Sequence, residues 1–158
     1  SGTRIMTHAD TELAVAGSGD LSEIDALVQD AYAPYVARIG MKPGPMRDDY
    51  AAHVRAGRLR VLRADGRIAG ILALEPQDDA LLLDNVAVAP WAQGRGYGRR
   101  LLDAAEQVAR AQRYERIRLY THVKMTENIA IYAGRGYRET GRTEVNGLHR
   151  VYMEKTLA

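Results

Sequence analysis

The chain has no cysteine, no phenylalanine, one tryptophan and only 5 prolines among its 158 residues. Without cysteine there is no disulfide, no thiolate nucleophile and no zinc–thiolate site. The histidines His53, His122 and His149 are scattered without metal-ligand spacing, so no metal is expected and surface or strand positions are their ordinary reading. Apolar runs fall well short of the ~20 residues of a membrane-spanning helix, and no secretory pattern opens the chain. A cytoplasmic setting with no membrane partner is therefore expected. Lys and Arg number 22 against 20 Asp and Glu, a formal net charge of +2. No basic stripe or tail stands out, so nucleic acid is not expected as a partner.

The composition that remains, 46% apolar and 27% charged, is ordinary for a globular protein. The length suits one domain, taken as residues 6–158 and expected as a monomer or homodimer. Residues 1–5 read as an engineering scar or disordered N-terminus ahead of Met6. A first strand is predicted at 12–16. Asp20 then reads as an N-cap, with Glu23 completing a capping box. Ile24, Leu27, Val28, Ala31 and Tyr32 recur at helical spacing, in a helix expected to fade near Pro34. Residues 36–45, with Gly40, Pro43, Gly44 and Pro45, read as an irregular loop. A short helix follows at about 46–56, ended by Gly57.

Residues 58–63 and 67–74 read as strands joined by Ala64-Asp65-Gly66, a strong hairpin signal. A strand at 81–88 leads into a glycine-rich turn and then an amphipathic helix at 99–112. A strand at 117–121, a short helix at 127–134 and strands near 137–142 and 148–155 complete the chain. That order predicts an α/β arrangement of the α+β type, a mixed twisted sheet with helices on both faces.

The turn Gln93-Gly94-Arg95-Gly96-Tyr97-Gly98 is the most informative stretch. Strand, glycine turn and helix N-terminus together make a cradle for phosphate, because free amides and the helix dipole both favour an anion. The nucleotide phosphate loop needs Gly-Lys-Ser/Thr, and Gly98 is followed by Arg99-Arg100 instead. The dinucleotide fingerprint would need a third glycine at Arg99 and belongs in a first βαβ unit, whereas several strands come earlier here. A tight turn without ligand is the bland alternative. Arg95, Arg99 and Arg100 either neutralise phosphate or simply solubilise, with Arg95 the best placed; Trp91 is expected to pack at the base of the loop.

What remains is Gln/Arg-x-x-Gly-x-Gly/Ala, filled by Gln93, Gly96 and Gly98, which resembles the acyl-CoA loop of the GNAT acetyltransferase superfamily. Asn85-Val86-Ala87-Val88-Ala89-Pro90 is similar to that family's central strand. Asn128 and Tyr132, followed by Gly136-Tyr137, are similar to its second cofactor motif. The resemblance spans about 81–137. It implies a sheet of about seven strands whose central pair splays to hold acyl-CoA, with acetyl-CoA as cofactor and no metal required.

It further implies that Gln93, Gly94, Arg95, Gly96, Tyr97, Gly98 and Arg99 hold the pyrophosphate, and that Val86, Ala87 and Val88 pair with the pantetheine arm near a bulge. An N–H among those three is expected near the thioester carbonyl. Asn128 is expected on the arm and Tyr132 at the sulfur as general acid; ring packing at the helix–sheet junction is the alternative for Tyr132.

The acceptor implied is a primary amine of a small molecule or protein, attacking the thioester directly through a tetrahedral intermediate. Its base is open. Asp84 interrupts an apolar strand, and simple alternation places it with Leu82, Val86 and Val88 rather than Asn85. Glu75 is a second candidate. Backbone capping for Asp84 and a solvated strand end for Glu75 are the plain alternatives. By family resemblance Tyr35, Arg38, Met41 and Tyr50 are candidate acceptor contacts. An acyl-CoA-binding regulatory domain without turnover is the second hypothesis, against which the presence of Tyr132 argues; a nicotinamide dehydrogenase is disfavoured by Arg99 and by topology.

Overall fold

The computed structural model describes residues 11–157, so the reading of residues 1–5 and Met6 lies outside it. Strand β1 (Thr11–Val15) precedes helices α1 (Leu21–Ile39) and α2 (Tyr50–Arg55), then strands β2 (Leu59–Ala64), β3 (Arg67–Pro76) and β4 (Leu81–Val88). Helix α3 (Tyr97–Ala111), strand β5 (Arg116–His122), helix α4 (Thr126–Gly134) and strands β6 (Arg138–Val145) and β7 (Leu148–Thr156) follow. The strands form one 7-stranded sheet in the order β1-β2-β3-β4-β5-β7-β6. Every pairing is antiparallel except β4 with β5.

The sheet is covered on both faces. Ile24, Leu27 and Val28 of α1 pack with Val61, Ile71, Ala73 and Ala87 on one side. Leu101, Leu102, Ala105 and Ala109 of α3 pack with Leu72, Leu74, Leu83, Ile117 and Leu119 on the other. Fully burying one such leucine stabilises the fold by about 1.5–3 kcal/mol. Helix α3 can lie this close because position 70 lacks a Cβ. A Cβ on Gly70 would stand 2.8 Å from Leu101 Cδ1 and 3.1 Å from the Ala87 carbonyl oxygen, so Gly70→Ala would force the Leu101 side chain to move and the neighbouring strand to give slightly.

Three local expectations are corrected. Helix α1 does not fade at Pro34 but runs to Ile39, capped by left-handed Gly40, whose N–H reaches the Val36 carbonyl at 2.8 Å. Proline deprives only the Asp30 carbonyl of its helical partner, and both residues face solvent, where water substitutes. The capping box at Asp20 is also absent. Asp20 instead accepts from the Gly17 N–H at 2.9 Å and pairs with Arg63, while Glu23 accepts from the Ile68 N–H at 2.7 Å. The short helix begins at Tyr50 rather than residue 46, because Asp49 takes the N-cap role, its Oδ1 accepting from the Ala52 N–H at 3.0 Å.

Candidate active site

Strands β4 and β5 part company almost as soon as they meet. They pair only at Leu81 with Ile117 and Leu82 with Arg118, and beyond that β4 keeps β3 on one edge alone. The opening is the splay expected between them, and a cavity of about 590 Å³ occupies it beside α1, α3 and α4. Its floor is Val86, Ala87 and Val88. Its far end is Gln93, Gly98 and Arg99, and Asn128, Ile131 and Tyr132 of α4 close one side.

The far end suits an anion. Gly94 and Gly96 sit at φ +80° and +82°, with open space where a Cβ would lie. The first amide of α3 to find a helical carbonyl is that of Arg100, on Gly96 at 3.1 Å. The amides of Tyr97, Gly98 and Arg99 are therefore the orphan donors of a helix start. The Gln93 side chain donates to the Val88 carbonyl at 3.3 Å, tying the loop to the end of β4.

A second cavity, of about 430 Å³, opens at the α2 end of the splay and is lined partly by Asp48, His53, Glu75, Asp84, Tyr120 and Arg150. The two cavities share a wall made of Tyr32, Val86, Asn128 and Tyr132. What turns Asp84 into this second space is a β-bulge. Ala73 pairs with Asn85 and Leu74 with Leu83, leaving Asp84 without a cross-strand partner. The extra residue shifts the phase of the strand, so Asp84 and Asn85 both face α2 while Leu83 and Val86 both face α3 and α4. The alternation that set Asp84 with Val86 and Val88 is thereby corrected.

Asn85 is the anchor of that bulge. It is 4% exposed, accepts from the Tyr32 hydroxyl at 2.5 Å and donates to the Tyr50 hydroxyl at 2.9 Å; Tyr50 in turn donates to the Pro45 carbonyl at 2.6 Å. Helix α1, strand β4, helix α2 and the loop between the helices are thus joined through one satisfied polar chain. Beside it, His53 Nε2 lies 2.8 Å from Asp48 Oδ2 and 3.2 Å from Asp84 Oδ2. Burial, with the neighbouring Asp48 carboxylate second, pushes Asp84 up to about 6, against a smaller downward pull from His53. Ligand-type atoms of Asp48, His53 and Asp84 all fall within 4.8 Å of one another, close enough for a divalent cation. The His53 contacts are hydrogen-bond lengths, which suits movement of a proton equally well.

Tyr132 stands in the shared wall, 8% exposed, its ring 5.8 Å from that of Tyr137. Burial pushes its phenol up to about 12, so the hydroxyl keeps its proton through the neutral range and is able to donate it.

A sequence model of the acetyltransferase (GNAT) family matches residues 24–137. The chain belongs to that family. Over 82 residues it is 35% identical to mouse (Mus musculus) N-alpha-acetyltransferase 80, a match covering 52% of this chain and 24% of the mouse protein. Among solved structures it is similar to the PaiA N-acetyltransferase of Thermoplasma acidophilum in complex with coenzyme A, at 16% identity and a TM-score of 0.76. That match covers 93% of this chain and 99% of the other. It is also similar to N-acetylglutamate synthase of Neisseria gonorrhoeae complexed with coenzyme A and N-acetyl-glutamate, at 25% identity and a TM-score of 0.74, covering 94% of this chain and 35% of that one.

Coenzyme A is the cofactor of the GNAT family, and the first cavity fits it on its own chemistry. Orphan amides and an unobstructed glycine turn stand at one end for the pyrophosphate, and an unpaired strand edge at Val86–Val88 runs inward for the amide-bearing arm. Of the GNAT loop residues, Gln93, Gly98 and Arg99 line the cavity. Gly94 and Gly96 shape the turn, Tyr97 packs inward against both cores, and the Arg95 guanidinium lies 5.8 Å from the centre of the Trp91 ring.

None of the four residues expected on the acceptor side lines the second cavity. Tyr35 borders the first cavity, Arg38 pairs with Glu127 at 2.8 Å, Met41 rests against Gly147 in the β6–β7 turn and Tyr50 is buried in the polar chain. Glu75 does border the second cavity, but paired with Arg58 at 3.0 Å. His53 and Asp48 were missed. The usable signal was Asp49 as N-cap, which begins the helix at Tyr50 and sets Tyr50 and His53, three apart, on one face.

Proposed function

We propose that this GNAT-family chain is an acetyl-CoA-dependent N-acetyltransferase acting on a primary amine by direct attack, with no covalent acyl-enzyme. The observation that carries the reading is the wall shared by two cavities. A proton acceptor, Asp84 with His53, faces one of them, and a proton donor, Tyr132, stands between them. Acetyl-CoA, when bound, supplies the acetyl group as an activated thioester.

The residues divide the remaining work. The amides at the start of α3 hold phosphate, and the open edge of β4 orients the arm, with an N–H of Val86–Val88 stabilising charge that develops on the carbonyl oxygen. Asn128 is positioned for the arm. An alkyl ammonium with a pKa near ~10 arrives protonated and gives up one proton to solvent, exposing the lone pair that attacks; Asp84, relayed through His53, takes the second proton, which becomes strongly acidic as nitrogen bonds to carbon. The Tyr132 hydroxyl donates to the departing sulfur.

The test is thiol release from acetyl-CoA with a panel of amines. Acetylation of at least one amine, abolished with Asp84→Asn, supports the reading. Tight acetyl-CoA binding with no amine acetylated would contradict it and favour a binding domain without turnover.

A further inference from the structure

The second cavity has a charge pattern that transfer to an amine does not require. Part of its lining is the cluster of Asp84, Asp48 and His53. Toward its other walls are two guanidinium groups, Arg47 from the 3-10 turn Gly44–Arg47 and Arg150 from β7. Every other carboxylate on this lining is already engaged, Glu75 with Arg58 and Asp48 with His53. Among the described residues no carboxylate lies within ion-pair distance of Arg47 or Arg150. Arg150 is instead laid over the Tyr120 ring, 4.1 Å from its centre. Stacking occupies the flat face of the guanidinium, and one of its N–H groups reaches the Tyr152 hydroxyl, which leaves its other donors for a carboxylate. Tyr120, Asp84, Asp48 and Arg150 all line the same cavity, so both charge signs border one space.

The walls also limit size. Met41, just after α1, has its Cε 3.5 Å from where a Cβ of Gly147 would be, so the loop between the helices comes near the β6–β7 turn, whose next residue Leu148 lines the cavity. Arg38 ties α1 to the start of α4 through Glu127 and the Lys124 carbonyl. A peptide offering its N-terminal amine would have to trail out through the mouth, whereas a cavity of about 430 Å³ is of a size to hold a small molecule whole.

We infer that the acceptor is a small amino acid, its amine at Asp84 and its carboxylate held by Arg150 and Arg47. The inference rests on the N-acetyltransferase reading and deepens it. The test compares L-amino acids with the amines left when the carboxylate is removed, and with short peptides. The carboxylated acceptor is expected to show a kcat/KM roughly 10-fold or more above its decarboxylated partner, the scale of one charge-assisted contact. Arg150→Gln or Arg47→Gln brings that ratio toward one through KM, and Arg150→Lys restores part of it. Acetyl-CoA affinity, set in the other cavity, reports that each variant is folded. Decarboxylated amines or peptides acetylated as well as amino acids would overturn the carboxylate site while leaving N-acetyl transfer standing. No turnover with any amine would overturn both.

Discussion

Half of the first cavity's lining comes from one continuous stretch, β4 through the first turns of α3, the rest from α1 and α4, and its expected contacts are largely backbone amides and a strand edge that no neighbouring strand pairs. The acceptor cavity gathers side chains from the loop after α1, from α2, from both central strands and from β7. A backbone site depends on glycine and on pairing, both of which leave marks in neighbouring residues. A side-chain site assembled over long sequence distances depends on register, and register changes with a single inserted residue. The two halves of one GNAT site thus report on their sequence very unequally, and they should respond to mutation unequally too.

Tyr132→Phe is the largest break, because Tyr132 belongs to both halves. A drop in kcat of about 10²–10⁴-fold is expected from loss of the acid, while acetyl-CoA affinity by calorimetry moves little. Equal losses in both would assign Tyr132 to packing. Gly96→Val separates the halves. At φ +82° a β-branched residue is strained by about 1–2 kcal/mol, and its side chain enters the phosphate cradle. The KM for acetyl-CoA is expected to rise ~10-fold while that for the acceptor stays put. Asn85→Ala attacks mainly the acceptor side, although Tyr32, which it holds, stands in the shared wall. Leaving the Tyr32 and Tyr50 hydroxyls short of a partner costs about 1–3 kcal/mol, read as a lower denaturation midpoint, with acceptor KM rising more than acetyl-CoA KM.

Much of the architecture was legible beforehand. The Asp65-Gly66 turn marked the β2–β3 hairpin, the stripe on α3 marked its buried face, and Gln93, Gly96 and Gly98 with Asn128 and Tyr132 pointed to an acyl-CoA donor. Helix α1 was cut short because proline penalties assume a carbonyl with nowhere else to turn, and Asp30 is on the exposed face of the helix. The acceptor half was obscured by the bulge. Period-2 counting along β4 cannot see that Asp84 is unpaired, since the pairing that reveals it belongs to Ala73 and Leu74 of another strand. His53 looked idle because its partners lie five residues before it and thirty-one after it.

The bulge bears directly on Asp84, and Asp84 can be tested in two ways at once. A carboxyl raised to about 6 in the fold, against an ordinary 3.8, makes the fold bind more protons than the unfolded chain between those values. Stability therefore falls as pH rises through that window. Asp84→Asn should accordingly melt higher than the parent at pH 8, with the difference vanishing below pH 4. The most direct measurement is the pH profile of kcat/KM for the acceptor in both proteins. The parent is expected to lose activity as pH falls through about 6, and Asp84→Asn to be slower by at least ~100-fold with that limb gone. An unchanged limb, or full activity in the variant, would contradict Asp84 as the base and with it the account of the acceptor half.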